Sequence, residues 1–439
     1  MRKIVKMSIV AATLVATSSM AADKGIDIVT TGQAVVYYQS QAGNGNGEDN
    51  LFNNKKSFAN VGLQLNLDAD LKNNFTFGSQ LNYLGTAGLE KNVVNGVMQD
   101  DNNEDSQFYL SQLYVAKKMG NTNVKVGRQE LPMSLSPFAY SEDWSVFKNT
   151  FDAILAVNTD IKDTTLVGAY VSGGNYNTPN NASMADFGNL TVGGVKNSNP
   201  ADTIKYEEMD VQGTAYMLTA QNKSIPMATV TATYYGVQNI LLDNTAGAKA
   251  FADANILWGD VAISDKSLPM GLSVGIQGGA IMPDSASTLD DTKAFGAKVS
   301  IKPMDSLGLT LAYSHVNDGA VALVNVGGIK TPLYTQMIGN QTAISKDANT
   351  FMVKADYDMG EYGAITLQDG YTKGGDANRD SVGRVGTDVN NNDLELIYKI
   401  KAGGVQYYAA FINRTWSEEK LADGQDSENW VRVWGRYNF

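Results

Sequence analysis

Apolar and polar residues alternate along this chain with a period of two, in stretches of about ten residues that recur from Gly25 onward. In the clearest stretch Val61, Leu63, Leu65, Leu67, Ala69 and Leu71 share one face, and Gly62, Gln64, Asn66, Asp68 and Asp70 share the other. Phe351, Val353, Ala355 and Tyr357 stand likewise against Met352, Lys354, Asp356 and Asp358. Leu394, Leu396, Tyr398 and Ile400 stand against Asp393, Glu395, Ile397 and Lys399. Each stretch predicts a strand with unlike faces. A soluble sheet would set the apolar face on a core and the polar face in water. Recurrence without helices between the strands favours a membrane barrel, where lipid-facing and lumen-facing side chains alternate.

The connections carry the topology. Short turns fall near 72–74, 120–122, 160–162, 222–226, 265–269, 303–306, 359–361 and 401–403. Longer polar segments lie between them, around 40–57, 84–106, 129–150, 173–205, 240–250, 283–291, 317–348, 372–391 and 416–428. Short and long connections alternate, as in a transmembrane barrel with short periplasmic turns and long extracellular loops. The expected fold is all-β: one antiparallel barrel over residues 23–439, of eighteen strands, or sixteen if one hairpin is lost.

The N-terminus sets the compartment. Arg2, Lys3 and Lys6 precede an apolar run from Met7 to Val15, and the small residues Ser18, Ser19, Ala21 and Ala22 follow. The run is shorter than the roughly 20 residues of a spanning helix, so residues 1–22 read as a secretory signal peptide. Cysteine is absent from the chain, which removes disulfide staples and thiolate metal sites from consideration. With 34 basic and 46 acidic residues the net charge is −12, and without Arg2, Lys3 and Lys6 it becomes −15. Phosphate backbones need a positive surface, so no nucleic-acid partner is expected.

The chain closes on Trp430-Val431-Arg432-Val433-Trp434-Gly435-Arg436-Tyr437-Asn438-Phe439. Phe439 and Tyr437 on one face resemble the signal that outer-membrane barrels present to their assembly machinery. Val126-Gly127-Arg128-Gln129-Glu130-Leu131-Pro132 resembles the Gly-Arg-Gln element ahead of the third loop in OprD-like porins. The segment from Ser141 to Ala153 is similar to the matching region of epsilonproteobacterial major outer membrane porins. The specific motif covers residues 107–172, and the layout covers the whole chain. The resemblance implies a Gram-negative outer membrane, an eighteen-stranded barrel, a homotrimer, and a third loop at 129–150 folded inward to narrow a passive-diffusion channel.

Strand parity then gives a lumenal inventory. If Val431, Val433 and Tyr437 face lipid, Arg432 and Arg436 face inward, joined by Arg414, Lys399, Lys354 and Gln406 on preceding strands. This cationic arc would oppose Glu142 and Asp143 of the third loop, with help from Glu130, and set a field across the passage. The alternative role of those carboxylates is to pin the loop through Arg128 or Lys148. Arg128 is counted with the constriction, although its parity with Val124 and Val126 points it outward at the loop base.

Acidic residues crowd two loops: Asp100, Asp101, Glu104 and Asp105, and then Glu418, Glu419, Asp423, Asp426 and Glu428. Carboxylates at this density can bind Ca²⁺ through oxygen ligands, a weak signal because no EF-hand spacing organises them. They are read as a solvated surface bridged by divalent ions to lipopolysaccharide, with no cofactor. Such loops concentrate cations at a pore mouth, so mild cation selectivity is expected. Tyr37, Tyr38, Tyr83, Tyr170, Tyr234, Tyr235, Tyr407 and Tyr437 are assigned to interfacial girdles. Enzyme chemistry finds little support. The one histidine, His315, sits beside Ser314, and adjacent strand residues face opposite ways. The expected function is an outer-membrane porin for ions and small polar solutes. The alternative is a plugged barrel whose long fourth and seventh loops serve adhesion.

Overall fold

A computed structural model describes residues 26–44, 50–89, 93–94, 107–143, 146–175, 185–186, 213–243, 250–284, 290–319, 321–341, 343–345, 347–374, 390–417 and 426–439. The segment read as a signal peptide lies outside them. Eighteen barrel strands are numbered here in chain order. β1 to β6 are Asp27–Gly43, Ser57–Lys72, Phe75–Gly85, Gln107–Met119, Thr122–Gln129 and Thr150–Asn158. β7 to β12 are Thr164–Asn175, Thr214–Asn222, Ala228–Asp243, Ala250–Ser264, Ser273–Pro283 and Thr292–Met304. β13 to β18 are Leu307–Val316, Ala348–Asp358, Ala364–Gly374, Asn390–Ala402, Val405–Trp416 and Ser427–Asn438. Each pairs antiparallel with its sequence neighbours, and β1 closes the barrel on β18 from Gln33↔Asn438 to Gly43↔Glu428. A two-residue bridge at Ala185–Asp186 adds to the top of β7. The strand count of eighteen stands, and sixteen does not.

All eight short turns fall where the sequence places them. Between β2 and β3, Asn73 and Asn74 take φ of 52° and 65°, the left-handed pair that a tight hairpin requires. Between β16 and β17, Gly403 and Gly404 do the same at 58° and 82°.

The outer wall is a band of apolar side chains. Val36, Leu113, Val126, Ile154, Leu218, Leu257, Ile276, Leu311, Val353, Leu396, Phe411 and Val433 all stand exposed. Water does not cover such a band favourably, whereas bilayer hydrocarbon does. No helix among the described residues is long and apolar enough to cross a membrane. At the β1–β18 seam the backbones of Gly32 and Phe439 exchange two hydrogen bonds, at 2.8 and 3.0 Å. The Phe439 ring lies over Gly32, where an added Cβ would come within 2.6 Å of it.

The lumen is partly filled. The inner faces of β6 to β13, from Phe151 and Val171 through Met217, Tyr235 and Trp258 to Val316, bury one continuous apolar cluster. Two loops supply its other half. Leu131, Phe138 and Ala139 come from the third loop, and Val321, Leu323, Val326, Leu333 and Ile344 from the seventh. Fully burying a side chain of this kind stabilises by about 1.5–3 kcal/mol, which draws both loops inside the barrel. The third loop was expected there. The seventh reads from the sequence as a polar loop on the outside, and the structure corrects that: 321–326 places five apolar residues within six positions, a core signal inside a long connection.

Candidate functional site

The described part of the third loop, residues 130–143 and 146–149, crosses the lumen. Its neck is closed by Lys148 Nζ to Glu130 Oε2 at 2.9 Å. Its far tip meets the β9–β10 wall, where the Phe138 ring stands edge-on to Tyr235 and Trp258, with centroids 6.0 and 5.3 Å away. Tyr235 Oη lies 3.1 Å from Ser136 Oγ, and the Phe138 amide donates to it at 3.2 Å. On the return, Val146 and Phe147 pack over Gly62 of β2. Arg436 donates to the Val146 carbonyl at 3.1 Å.

The described residues of the seventh loop, 317–319, 321–341, 343–345 and 347, follow the inner wall. Tyr334 hydrogen-bonds Asp260 on β10, and its ring lies under Lys298 Nζ at 4.1 Å. Thr335 Oγ1 meets Ser314 Oγ at 2.6 Å. The Gly339 amide donates to Glu395 on β16 at 2.6 Å. Gly339 abuts Asp393 so closely that an added Cβ would sit 2.7 Å from Oδ1.

Glu142 and Asp143 join the two loops. Glu142 is only 2 % exposed. Its Oε1 accepts from Asn325 Nδ2 and the Lys330 amide, both at 2.8 Å, and its Oε2 accepts from the Ile329 amide at 3.0 Å. Asp143 instead turns to open space, with 71 % of its side chain exposed, and pairs with Lys330 Nζ at 2.7 Å. The carboxylates therefore do pin the loop: Glu130 through Lys148, one of the two partners expected, and Glu142 and Asp143 through Lys330 and the seventh-loop backbone, with none of them on Arg128. The partner lies 187 residues along the chain, beyond the reach of local spacing.

Burial pushes the Glu142 carboxyl above its usual range, and the three N–H donors with Lys330 only partly offset it. Its titratable neighbours are Lys330 on the seventh loop, and Tyr140 and Asp143 on its own. For Asp143, burial works upward, but the Lys330 ammonium, its hydrogen bond and Lys148 together hold the carboxyl below its usual range. The raised Glu142 value carries a sign. Protons bind the clasped loop more tightly than a released one, so Glu142 favours the clasp most in acid. That contribution is lost as pH rises from the ordinary glutamate range through the raised value. Hydrogen exchange at Ile329 and Lys330, corrected for intrinsic rate, is expected to show protection falling across that window. Protection rising with pH would reverse the assignment.

The cationic arc forms where parity placed it. No register shift interrupts the pairings from β14 to β18 and on to β1, so the alternation runs true. Arg414, Arg432, Arg436, Lys399 and Lys354 all line the interior, but in unequal states. Arg414, only 7 % exposed, is spent on buried Asp393, with Nε to Oδ1 at 2.9 Å. Lys354 pairs with Asp356 at 3.0 Å. Arg432 donates to Gln39 Oε1 at 3.0 Å. Arg436 lies within electrostatic reach of Asp143.

Lumenal aromatics brace these cations. Arg436 lies over Trp434 at 5.0 Å, Arg432 over Tyr37 at 5.9 Å, and Arg414 near both Trp416 and Trp430 at 5.8 and 5.7 Å. Trp434 stacks on Tyr408 at 5.0 Å. Two girdle assignments are thereby corrected. Tyr37 and Tyr235 are buried inside the barrel. Tyr37-Tyr38 and Tyr234-Tyr235 are neighbours on strands, so only one of each pair can face out. Tyr234, Tyr407 and Tyr437 are exposed outside.

Arg128 leaves the pore inventory. It shares the outer face with Val126 and Leu113, pairs with Asp152 at 3.4 Å and donates to the Leu110 carbonyl at 3.0 Å. Its parity on β5 is unbroken, and it buttresses the loop base. His315 is exposed and lies 3.1 Å from Asn349, while Ser314 is buried and bonded to Thr335, so the two form no dyad. Of the acidic loop residues, Asp100, Asp101, Glu104, Asp105, Glu418, Glu419 and Asp423 lie outside the described residues. Asp426 receives the Asn44 side-chain amide, tying the ninth loop to the first.

No family model and no curated protein sequence matches the chain. Solved structures do. OpdK of Pseudomonas aeruginosa, crystallised with vanillate, superposes with a TM-score of 0.70 at 12 % identity, over 94 % of this chain and 98 % of that one. OccK8 (OprE) of the same organism gives 0.69 at 13 %, over 94 % and 98 %. The fold is that of the Occ outer-membrane channels. OpdO agrees at 0.68 and 12 % identity, over 94 % and 97 %. The Occ fold is thus reached by a sequence that shares about one residue in eight with OccK8.

Proposed function

We propose that this chain is an outer-membrane porin, a passive channel for ions and small polar solutes whose eyelet lies between the clasped loops and the Arg432–Arg436 wall. One observation carries the reading. Asp143 carries most of its side chain open to solvent on the third loop, and Arg436 of the facing wall donates to the Val146 carbonyl of that same loop at 3.1 Å. A solute passing there meets a carboxylate and ammonium on one side and the Arg436 guanidinium, backed by buried Arg432, on the other. Such a transverse field orients dipolar and zwitterionic solutes.

The acidic balance of the chain and its acidic loops add a mild preference for cations. Export on the 1–22 segment, delivery to the barrel assembly machinery through Phe439 and Tyr437, packing against lipopolysaccharide and assembly as a homotrimer complete the reading. No cofactor takes part. The adhesin alternative loses one support, because the seventh loop is spent inside the lumen.

Zero-current potentials across a salt gradient test the reading. Wild type is expected to reverse on the cation side. Asp143→Asn removes an exposed eyelet carboxylate and should move the reversal toward anions. Arg436→Gln should move it the other way. A chloride-selective wild type would sink the selectivity, and two variants shifting in the same direction would sink the assignment of the eyelet.

A further inference from the structure

The 325–330 turn of the seventh loop stands apart from the rest of that loop. Its flanks are fastened to the wall: Val321 exchanges two hydrogen bonds with the Thr292 hydroxyl at 2.7 and 3.0 Å, and Tyr334, Thr335 and Gly339 are held as described. The turn itself is tied to the third loop. Asn325 Oδ1 accepts the Tyr140 amide and its Nδ2 donates to the Tyr140 carbonyl, both at 2.8 Å. The Val326 amide donates to the Phe138 carbonyl at 2.9 Å.

The turn is also shaped around one side chain. Gly327 takes a φ of 73°. At Gly328 an added Cβ would meet Glu142 Oε1 at 2.1 Å, so only glycine leaves room for the carboxylate. Three donors converge on that group, while the next residue along each loop, Asp143 and Lys330, presents the exposed ion pair of the eyelet.

We propose that Glu142 is the positioning residue of the eyelet: its carboxyl group latches the 325–330 turn onto the third loop and so holds Lys330 against Asp143 in the passage. Glu142 itself is buried and touches no solute. It acts through the turn it holds. Releasing the latch frees a movable jaw, carries the Lys330 ammonium away from Asp143, and replaces one steady conductance by several interconverting ones. The conductance part rests on the channel reading above, and the latch itself does not.

The test uses full-length refolded protein, with folding of each variant confirmed by heat-modifiable gel mobility. In Glu142→Ala the amides of Ile329 and Lys330 lose their acceptor, and their hydrogen exchange should accelerate at least tenfold while strand amides keep their protection. Open-channel current noise should rise several-fold, and the reversal potential should shift. Glu142→Gln, which keeps one carbonyl acceptor, should fall between.

Because the chain has no cysteine, the pair Glu142→Cys with Gly328→Cys can restore the link covalently. It should be quiet when oxidised and noisy when reduced. Unchanged exchange at Ile329 and Lys330 in Glu142→Ala would overturn the latch, as would noise in the cysteine pair indifferent to reductant. If wild type itself were silent in bilayers, the channel reading would fall while exchange still decided the latch.

Discussion

Arg414→Met is expected to destabilise the barrel by about 3–5 kcal/mol, the cost of stranding a buried charge. Asp393 is fully buried on β16, and the Arg414 guanidinium is its one charged partner among the described contacts. Its other oxygen takes the Asn391 side-chain amide, which cannot replace a cation. Gly339 of the seventh loop rests against the same carboxylate, so the damage should spread to that loop. The double variant Arg414→Met with Asp393→Asn removes both charges and should recover most of the loss, because a buried ion pair is worth far less than the penalty for breaking it. Denaturant titration of the refolded protein checks this. Trp416 and Trp430 flank Arg414 and report on the site by fluorescence. A single variant as stable as wild type, or a double variant no better than the single, would contradict the account.

The second large effect is expected at the seam. In Gly32→Ala the new methyl would lie 2.6 Å from the Gln64 carbonyl oxygen and 2.6 Å from the Phe439 ring. The ring can turn aside, but the carbonyl belongs to β2 and moves only with its strand. Overpacking of this kind costs about 1–3 kcal/mol, at the place where β1 closes on β18. The folded, heat-modifiable form should therefore appear more slowly and melt earlier. Adding Phe439→Ala relieves one clash and leaves the other, so the double variant should lose less than the sum of the two single losses. Gly435→Ala is the control. It lies on the outer face of β18, where the nearest neighbour of a new Cβ is the Tyr407 ring at 3.6 Å, an ordinary contact. Equal folding of Gly32→Ala and Gly435→Ala would remove the seam from the argument.

Much of this architecture was legible in the residues. Asn73-Asn74 and Gly403-Gly404 announce turns through backbone conformations few other residues accept. The lumenal places of Arg432 and Arg436 follow from parity because β14 to β18 pair without a shift. Elsewhere bulges break the count, as between Asp152 and Ala153 opposite β7. Partners distant along the chain stayed hidden. Nothing in the local pattern around Glu142 points to Ile329 and Lys330, and nothing around Arg414 says that Asp393 absorbs its charge. The assignments of Tyr37 and Tyr235 failed by treating aromatics as a class. Parity alone separates Tyr37 from Tyr38. The inward course of the seventh loop was readable, had Val321, Leu323, Val324 and Val326 been weighed as core residues rather than as part of a polar connection.

Current through single molecules of the refolded protein in a planar bilayer tests the central claim most directly. Stable, discrete conductance steps, with reversal on the cation side of a salt gradient, are the result expected of an open eyelet beside Asp143. A silent bilayer from protein whose gel mobility confirms a folded barrel would mean that the two loops plug the lumen, and would contradict the account.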